Sequence, residues 1–202
     1  MVKQRIIEEA SAWFGQTGIK STTMDDIAQH TGMSKRTIYE NFKDKETLLT
    51  ACIEAFHAGN KAFSEKVFRE ADNVAEALLT LLQKSAEQAS KWRYDMLYDI
   101  RKYYPQVYKN HLLCSHADQY REVERLVQRG MDEGVFRNDL NPRIIAYFFC
   151  RQDNVETLTD NEMERFSFTE IFENMVITFL RGVCTSKGLE IIDRYKEKAK
   201  KM

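Results

Sequence analysis

Proline is nearly absent from this sequence: Pro105 and Pro142 are the only two in 202 residues. A proline inside a helix removes a donor and clashes with the preceding turn, at about 3 kcal/mol or more. A chain broken so rarely can run in long helices from end to end. The residues between the breaks are rich in Ala, Leu, Glu, Lys, Gln, Arg and Met, which lose little rotamer freedom in a helix. No strand-like alternation and no internal repeat competes with that pattern. The fold class is therefore all-α.

The N-terminal third divides into short, well-punctuated helices. Ile6, Ala10 and Phe14 recur at the helical period, with Ile7 and Trp13 beside them, so residues 3–17 form an amphipathic helix that Gly18 closes. Thr23 followed by Asp26 has the spacing of a capping box, which opens a short helix through Ile27 and Ala28 that stops at Gly32. Ser34 caps a third helix, in which Ile38 and Phe42 stand one turn apart and face the core. Two short helices joined by a glycine turn make a helix-turn-helix. Asp44 caps the next helix, whose apolar positions Leu48, Cys52, Ala55, Phe56, Phe63 and Val67 carry it to about residue 69.

Downstream, the periodicity predicts helices over 74–90, 92–102, 105–132, 142–158 and 168–184, with a charged tail helix near 187–200. Asn141-Pro142 places a cap before a proline at the first helical position, and Gly134 closes the preceding helix.

Three stretches, Thr22-Thr23-Met24-Asp25-Asp26-Ile27-Ala28, Gly32-Met33-Ser34-Lys35-Arg36-Thr37-Ile38-Tyr39 and Phe42-Lys43-Asp44-Lys45-Glu46-Thr47-Leu48-Leu49, together resemble the N-terminal motif of TetR family transcriptional regulators. The resemblance spans about residues 3–52. A weaker likeness covers residues 134–149, similar to the segment that leads into the dimer-forming helices of that family. The resemblance implies an N-terminal helix-turn-helix DNA-binding domain over residues 1–46. Residues 47–202 would form a helical domain for effector binding and dimerisation. The implied function is a homodimeric regulator, a repressor in the commoner case, that binds palindromic double-stranded operator DNA and releases it when a small-molecule effector binds.

A recognition helix enters the roughly 12 Å wide major groove with its N-terminal side chains on base edges. Lys35 and Arg36 lie in the first turn after Ser34 and have the reach for guanine O6 and N7, with Thr37 behind them. Thr23 and Ser34, at helix N-termini, add phosphate contacts through hydroxyl, amide and dipole. The family resemblance adds backbone contacts at Tyr39, Asn41 and Lys45.

The helix over 168–184 carries apolar residues on more than one face, and one of those faces must find a partner. Ile145 and Phe149, with Phe172, Val176, Phe179 and Val183, are accordingly expected in a four-helix interface between two copies. Between residues 92 and 120 the chain is dense in aromatic side chains with apolar bodies and polar tips, which suit a mostly apolar pocket. Trp92, Met96, Tyr103 and Tyr120 are the expected contacts for an apolar or aromatic effector.

The net charge of −1 gives no electrostatic footprint for nucleic acid. Within residues 1–46, Lys3, Arg5, Lys20, Lys35, Arg36, Lys43 and Lys45 are matched one for one by Glu8, Glu9, Asp25, Asp26, Glu40, Asp44 and Glu46. Any DNA affinity must come from where the cations sit, and few well-placed contacts favour specificity over sequence-independent binding. No phosphate loop, nucleophile elbow, HExxH or grouping of catalytic acids points to an enzyme, so no catalytic residues and no cofactor are expected. His111, Cys114 and His116 invite a metal, but only the first two share a helical face, and a site needs three or four ligands; none is expected. Cys52, Cys114, Cys150 and Cys184 lie far apart, as in a reducing compartment, and read as small core residues, with redox sensing the alternative. The N-terminus carries acids where a secretory signal has an apolar core, and no run of about 18 apolar residues occurs, so a cytoplasmic protein without membrane association is expected.

Overall fold

The computed structural model describes residues 1–89, 96–113, 115–151, 174 and 177–199. The helices are α1 (Val2–Thr17), α2 (Met24–Thr31), α3 (Lys35–Asn41), α4 (Lys45–Glu70), α5 (Val74–Ala89), α6 (Met96–Tyr103), α7 (Pro105–Val107), α8 (Ser115–Asp132), α9 (Pro142–Arg151), α10 (Thr178–Val183) and α11 (Ser186–Ala199). Among the described residues there is no strand, only an isolated antiparallel bridge between Phe136 and Cys184. The chain forms two compact units, Met1–Phe63 with Ala89–Ser115, and Ser64–Gln88 with His116–Met202. The boundary read from the sequence, between residues 46 and 47, falls in the first turn of α4.

In the first unit the punctuation acts as its chemistry requires. α1 buries Ile6, Ala10 and Phe14 on one stripe and ends at Gly18, whose N–H donates to the Phe14 carbonyl at 3.0 Å. The capping box is complete: the Asp26 N–H donates to Thr23 Oγ1 at 3.1 Å, and the Thr23 N–H donates to Asp26 Oδ2 at 2.8 Å. α2 stops at Gly32, which sits at φ 66°, ψ 21°, a left-handed conformation that costs glycine little. The Thr37 N–H donates to Ser34 Oγ at 3.1 Å to open α3, and the Thr47 N–H donates to Asp44 Oδ1 at 2.8 Å at the start of α4.

Ile6, Phe14, Ile19, Ile27, Ile38, Phe42 and Leu48 are almost wholly buried in one core. Met96, Ile100 and Val107 complete that core from far along the chain. Pro105 separates their two elements: Tyr104, at φ −133°, ψ 57°, is kept out of the helical region by the proline that follows. The helix expected as one piece over 105–132 is helical at every described residue but is not α-helical throughout. It begins as the single turn α7, widens into a π-helical segment at Tyr108–Leu113, and resumes as α8.

The second unit has its own core of Val74, Leu79, Val135, Phe136, Ile177, Leu180, Val183, Ile191 and Ile192. Asn141 caps α9, its Oδ1 accepting from the N–H groups of Arg143 at 3.0 Å and Ile144 at 3.3 Å, with Pro142 at the first position. After α8, Gly134 turns the chain at φ 67°, and Arg137 N–H to the Val183 carbonyl at 3.0 Å ties the following segment to α10. Gly130 is needed for packing, since a Cβ there would overlap the Phe136 ring. The expected helix over 142–158 is described as far as Arg151, that over 168–184 at residue 174 and from residue 177, and the remainder lies outside the described residues.

Ile100 is 1% exposed within the core of the first unit, so Ile100→Ala is expected to destabilise that unit by about 2–5 kcal/mol. Urea unfolding followed by circular dichroism measures it. An unchanged midpoint would mean that α6 is an appendage to this unit and contributes little to its core.

Candidate nucleic-acid interface

Ile38 anchors α3 by its inner face, and the opposite face carries the expected reading residues. The side chains of Lys35 and Arg36 are 66% and 88% exposed, and Tyr39 is exposed beside them. Neither cation is bare. Lys35 Nζ donates to Asp25 Oδ2 at 2.6 Å across the turn between α2 and α3, and this carboxylate raises the lysine above its ordinary pKa. Arg36 Nε donates to Glu40 Oε1 at 2.8 Å, one turn along the same helix. Ser34 and Thr37 share a hydroxyl hydrogen bond of 2.8 Å. The Thr23 hydroxyl also donates to Asp26 Oδ2 at 2.7 Å, and Thr23 holds that carboxyl below its ordinary pKa through both its side chain and its backbone.

Two residues carried over from the family resemblance bond to backbone carbonyls. Asn41 Nδ2 donates to the Thr37 carbonyl at 2.8 Å. Lys45 Nζ donates to the carbonyls of Ile19 at 2.7 Å and Thr22 at 2.6 Å, and lies over the Tyr104 ring at 5.7 Å from its centroid. Burial pulls the Lys45 ammonium below its ordinary pKa, opposed by Asp99 and Asp26. Two of its three hydrogens therefore serve the loop between α1 and α2, which leaves one for any other acceptor. The same loop is held from α6, where the buried Asp99 accepts the Lys20 N–H at 2.9 Å. Sequence reading missed Asp99 because no local spacing links it to residue 20; it also passed over the Arg36–Glu40 pair, for which the i,i+4 spacing was the available signal.

The expected effector contacts fall in both compact units. Met96 is buried in the core of the first unit. Tyr103 is exposed on α6 between the ammonium groups of Lys20 and Lys102, at 5.2 and 5.5 Å from its ring centroid. Tyr120, in the second unit, donates its hydroxyl to the Arg143 carbonyl at 3.1 Å. Trp92 lies outside the described residues. The second unit does hold a small apolar pocket of about 20 Å³, walled by Leu78, Val123, Leu126, Val127, Phe136, Ile145, Phe149, Phe179, Leu180 and Val183. Its lining presents carbon only. A larger, solvent-open hollow of about 800 Å³ along the other face of α8 is charged, with Arg121 and Arg125 beside the Arg143–Glu124 pair.

Four of the residues expected between two copies, Ile145, Phe149, Phe179 and Val183, line that cavity within their own unit. Phe172 and Val176 lie outside the described residues. On α9, Ile144, Tyr147 and Phe148 are 65%, 53% and 52% exposed. Among the described residues no helix is long and apolar enough to cross a membrane, and no three His, Cys, Asp or Glu side chains come together as a metal site.

Residues 6–52 match the family described as bacterial regulatory proteins, tetR family. Over 184 residues the chain is 24% identical to the uncharacterized HTH-type transcriptional regulator YvaF of Bacillus subtilis, covering 89% of this chain and 94% of that one. Over 146 residues it is 23% identical to the HTH-type transcriptional repressor KstR2 of Mycobacterium tuberculosis, covering 71% and 73%. The solved structure of KstR2, described as a ketosteroid transcriptional regulator, superposes with a TM-score of 0.57 at 20% identity over 91% of this chain and 95% of that one. A TetR family regulator from Agrobacterium tumefaciens superposes with a TM-score of 0.72 at 13% identity over 91% and 98%.

Burial pushes the thiols of Cys52 and Cys184 up to about 11, from an ordinary value of 9.0. Both are protonated near neutral pH and poor nucleophiles, so alkylation by iodoacetamide at pH 7.5 is expected only after denaturation. Because the folded values are raised, the stability these thiols contribute is present below about pH 9 and lost as pH rises through about 11. Modification of the native protein at either thiol within minutes would overturn this and reopen redox sensing.

Proposed function

Because the chain belongs to the TetR family of bacterial transcriptional regulators, we propose that it represses transcription as a homodimer on palindromic operator DNA and is released by an apolar effector. The observation that carries the proposal is the exposed first turn of α3, where Lys35 and Arg36 project from a helix whose opposite face is locked into the core by Ile38. In this reading Lys35 and Arg36 take base edges with Thr37 behind them, and Thr23, Ser34 and Tyr39 hold phosphates. Asn41 and Lys45 act mainly from behind, by fixing the carbonyls they bind.

A palindrome requires two recognition helices about 34–36 Å apart, and hence a second copy. The open face of Ile144, Tyr147 and Phe148 on α9 is the surface of the second unit that supports an interface between copies, with Phe179 packed beside Phe148 at 5.3 Å between ring centroids. Phe172 and Val176 belong to the same proposed interface.

The carbon-only cavity supports an apolar effector, and so does the description of KstR2 as a ketosteroid regulator. At about 20 Å³ the cavity has room for about one water-sized probe. An effector would therefore enter by repacking Phe149 and Phe179, favouring one of two conformations of this unit.

Selection from a random duplex library tests the proposal. The wild type is expected to enrich a palindrome, Lys35→Ala/Arg36→Ala to relax the preference at the bases those residues read, and Tyr39→Phe to weaken all sequences alike. Loss of each good bidentate contact corresponds to about 1–3 kcal/mol. Enrichment of no site would overturn DNA reading by α3, and an asymmetric site would overturn the homodimer.

A further inference from the structure

The two cations at the reading edge of α3 each carry a carboxylate of their own, and the two pairs differ in geometry. Asp25 lies in the first turn of α2, ten residues before its partner, and its Oδ2 holds Lys35 Nζ at 2.6 Å. Both side chains are more than half exposed, so the pair exists in water without burial to enforce it. Glu40 grips Arg36 from the side, through Nε at 2.8 Å. Nη1 and Nη2, the end-on fork that matches guanine O6 and N7, make no hydrogen bond among the described residues. Thr22 and Thr23 carry no charge, so Asp25, Asp26 and Glu40 are the nearest acids along these two helices to a phosphate approaching α3.

We propose that Asp25 and Glu40 are specificity-determining residues, which suppress sequence-independent binding by occupying Lys35 and Arg36 with their own carboxylates until guanine edges replace that pairing. This rests on the reading of α3 as the recognition helix. Any DNA presents phosphates, and a phosphate drawn to Lys35 must displace Asp25 or lie beside it, with like charges close together in either case. Asp25 also competes with phosphate for the positive end of α2. On an operator the balance changes, because Arg36 keeps its Nε bond to Glu40 while its Nη pair takes a guanine. Glu40 is thus a positioning residue for the guanidinium plane as well as a charge offset. The exact balance of cations and acids over residues 1–46 becomes a working part of recognition.

The test compares Asp25→Asn, Glu40→Gln and Glu40→Ala in the full chain, on a selected operator duplex and on a random-sequence duplex, across a salt series. Asp25→Asn and Glu40→Gln are expected to tighten binding to random duplex about three- to tenfold, as for removal of one nearby like charge in water. The salt dependence on that duplex should steepen by about 0.9 in log–log slope per freed cation. Operator affinity should change less than about twofold, so the ratio of operator to random binding falls. Glu40→Ala, which loses the acceptor for Nε, should weaken operator binding as well, whereas Glu40→Gln retains it. Unchanged or weaker random-duplex binding in Asp25→Asn and Glu40→Gln would overturn the proposal. A change in the preferred operator bases with Glu40→Gln would also overturn it, by showing that Glu40 itself reads a base. Lys35→Ala/Arg36→Ala separates the two levels: if it binds the operator as well as the wild type does, recognition by α3 has failed, and this inference with it.

Discussion

The placement of α3 depends on the burial of Ile38 and Phe42, one helical turn apart, against Ile6, Phe14, Ile27 and Leu48. Each such side chain, fully buried, contributes about 1.5–3 kcal/mol, whereas an exposed ion pair such as Lys35–Asp25 contributes about 0–1 kcal/mol. The core therefore decides which face of the helix points outward, and the charges on that face only tune what it meets. Because Ile38 and the exposed cations share a seven-residue helix, a shift of one residue in its register would bring Thr37 or Tyr39 into the place of Ile38.

That core is not contained in the helix-turn-helix alone. Met96, Ile100 and Val107 complete it from a segment about fifty residues further along, and Asp99 and Lys45 hold the loop between α1 and α2 from two directions. Lys45 satisfies the carbonyls of Ile19 and Thr22, which ties the entry to α2 to the start of α4. The compact unit that presents α3 thus extends beyond the residues that carry the family motif, and its integrity includes α6.

Local chemistry was legible in the sequence wherever one or two neighbouring residues decide a structure. The capping box at Thr23 and Asp26, the left-handed turn at Gly32, the Asp44 cap and the Asn141-Pro142 start each appear where spacing placed them. Ile38 and Phe42 face the core as their one-turn separation required. What spacing could not show is which partner a side chain finds across the fold. The Lys35–Asp25 pair, the inward turn of Lys45 and the grip of Asp99 on Lys20 all join residues that are ten or more positions apart. The aromatic residues between 92 and 120 read as one group, and spacing did not show that Met96 and Tyr103 belong to one compact unit and Tyr120 to the other. On α9 the periodicity identified an apolar helix, yet it could not assign Ile145 and Phe149 to the interior and Ile144 and Phe148 to the exterior without the packing of the neighbouring helices.

The proposed reading of guanine edges by Lys35 and Arg36 of α3 is open to methylation interference on a selected operator. A methyl group on guanine N7 blocks the acceptor that these side chains need while leaving the phosphates unchanged. The account predicts strong interference at guanines in two patches about 10–10.5 base pairs apart, and its disappearance in Lys35→Ala/Arg36→Ala. Full binding to N7-methylated operator would contradict it, since the chain would then be recognising DNA by its backbone alone.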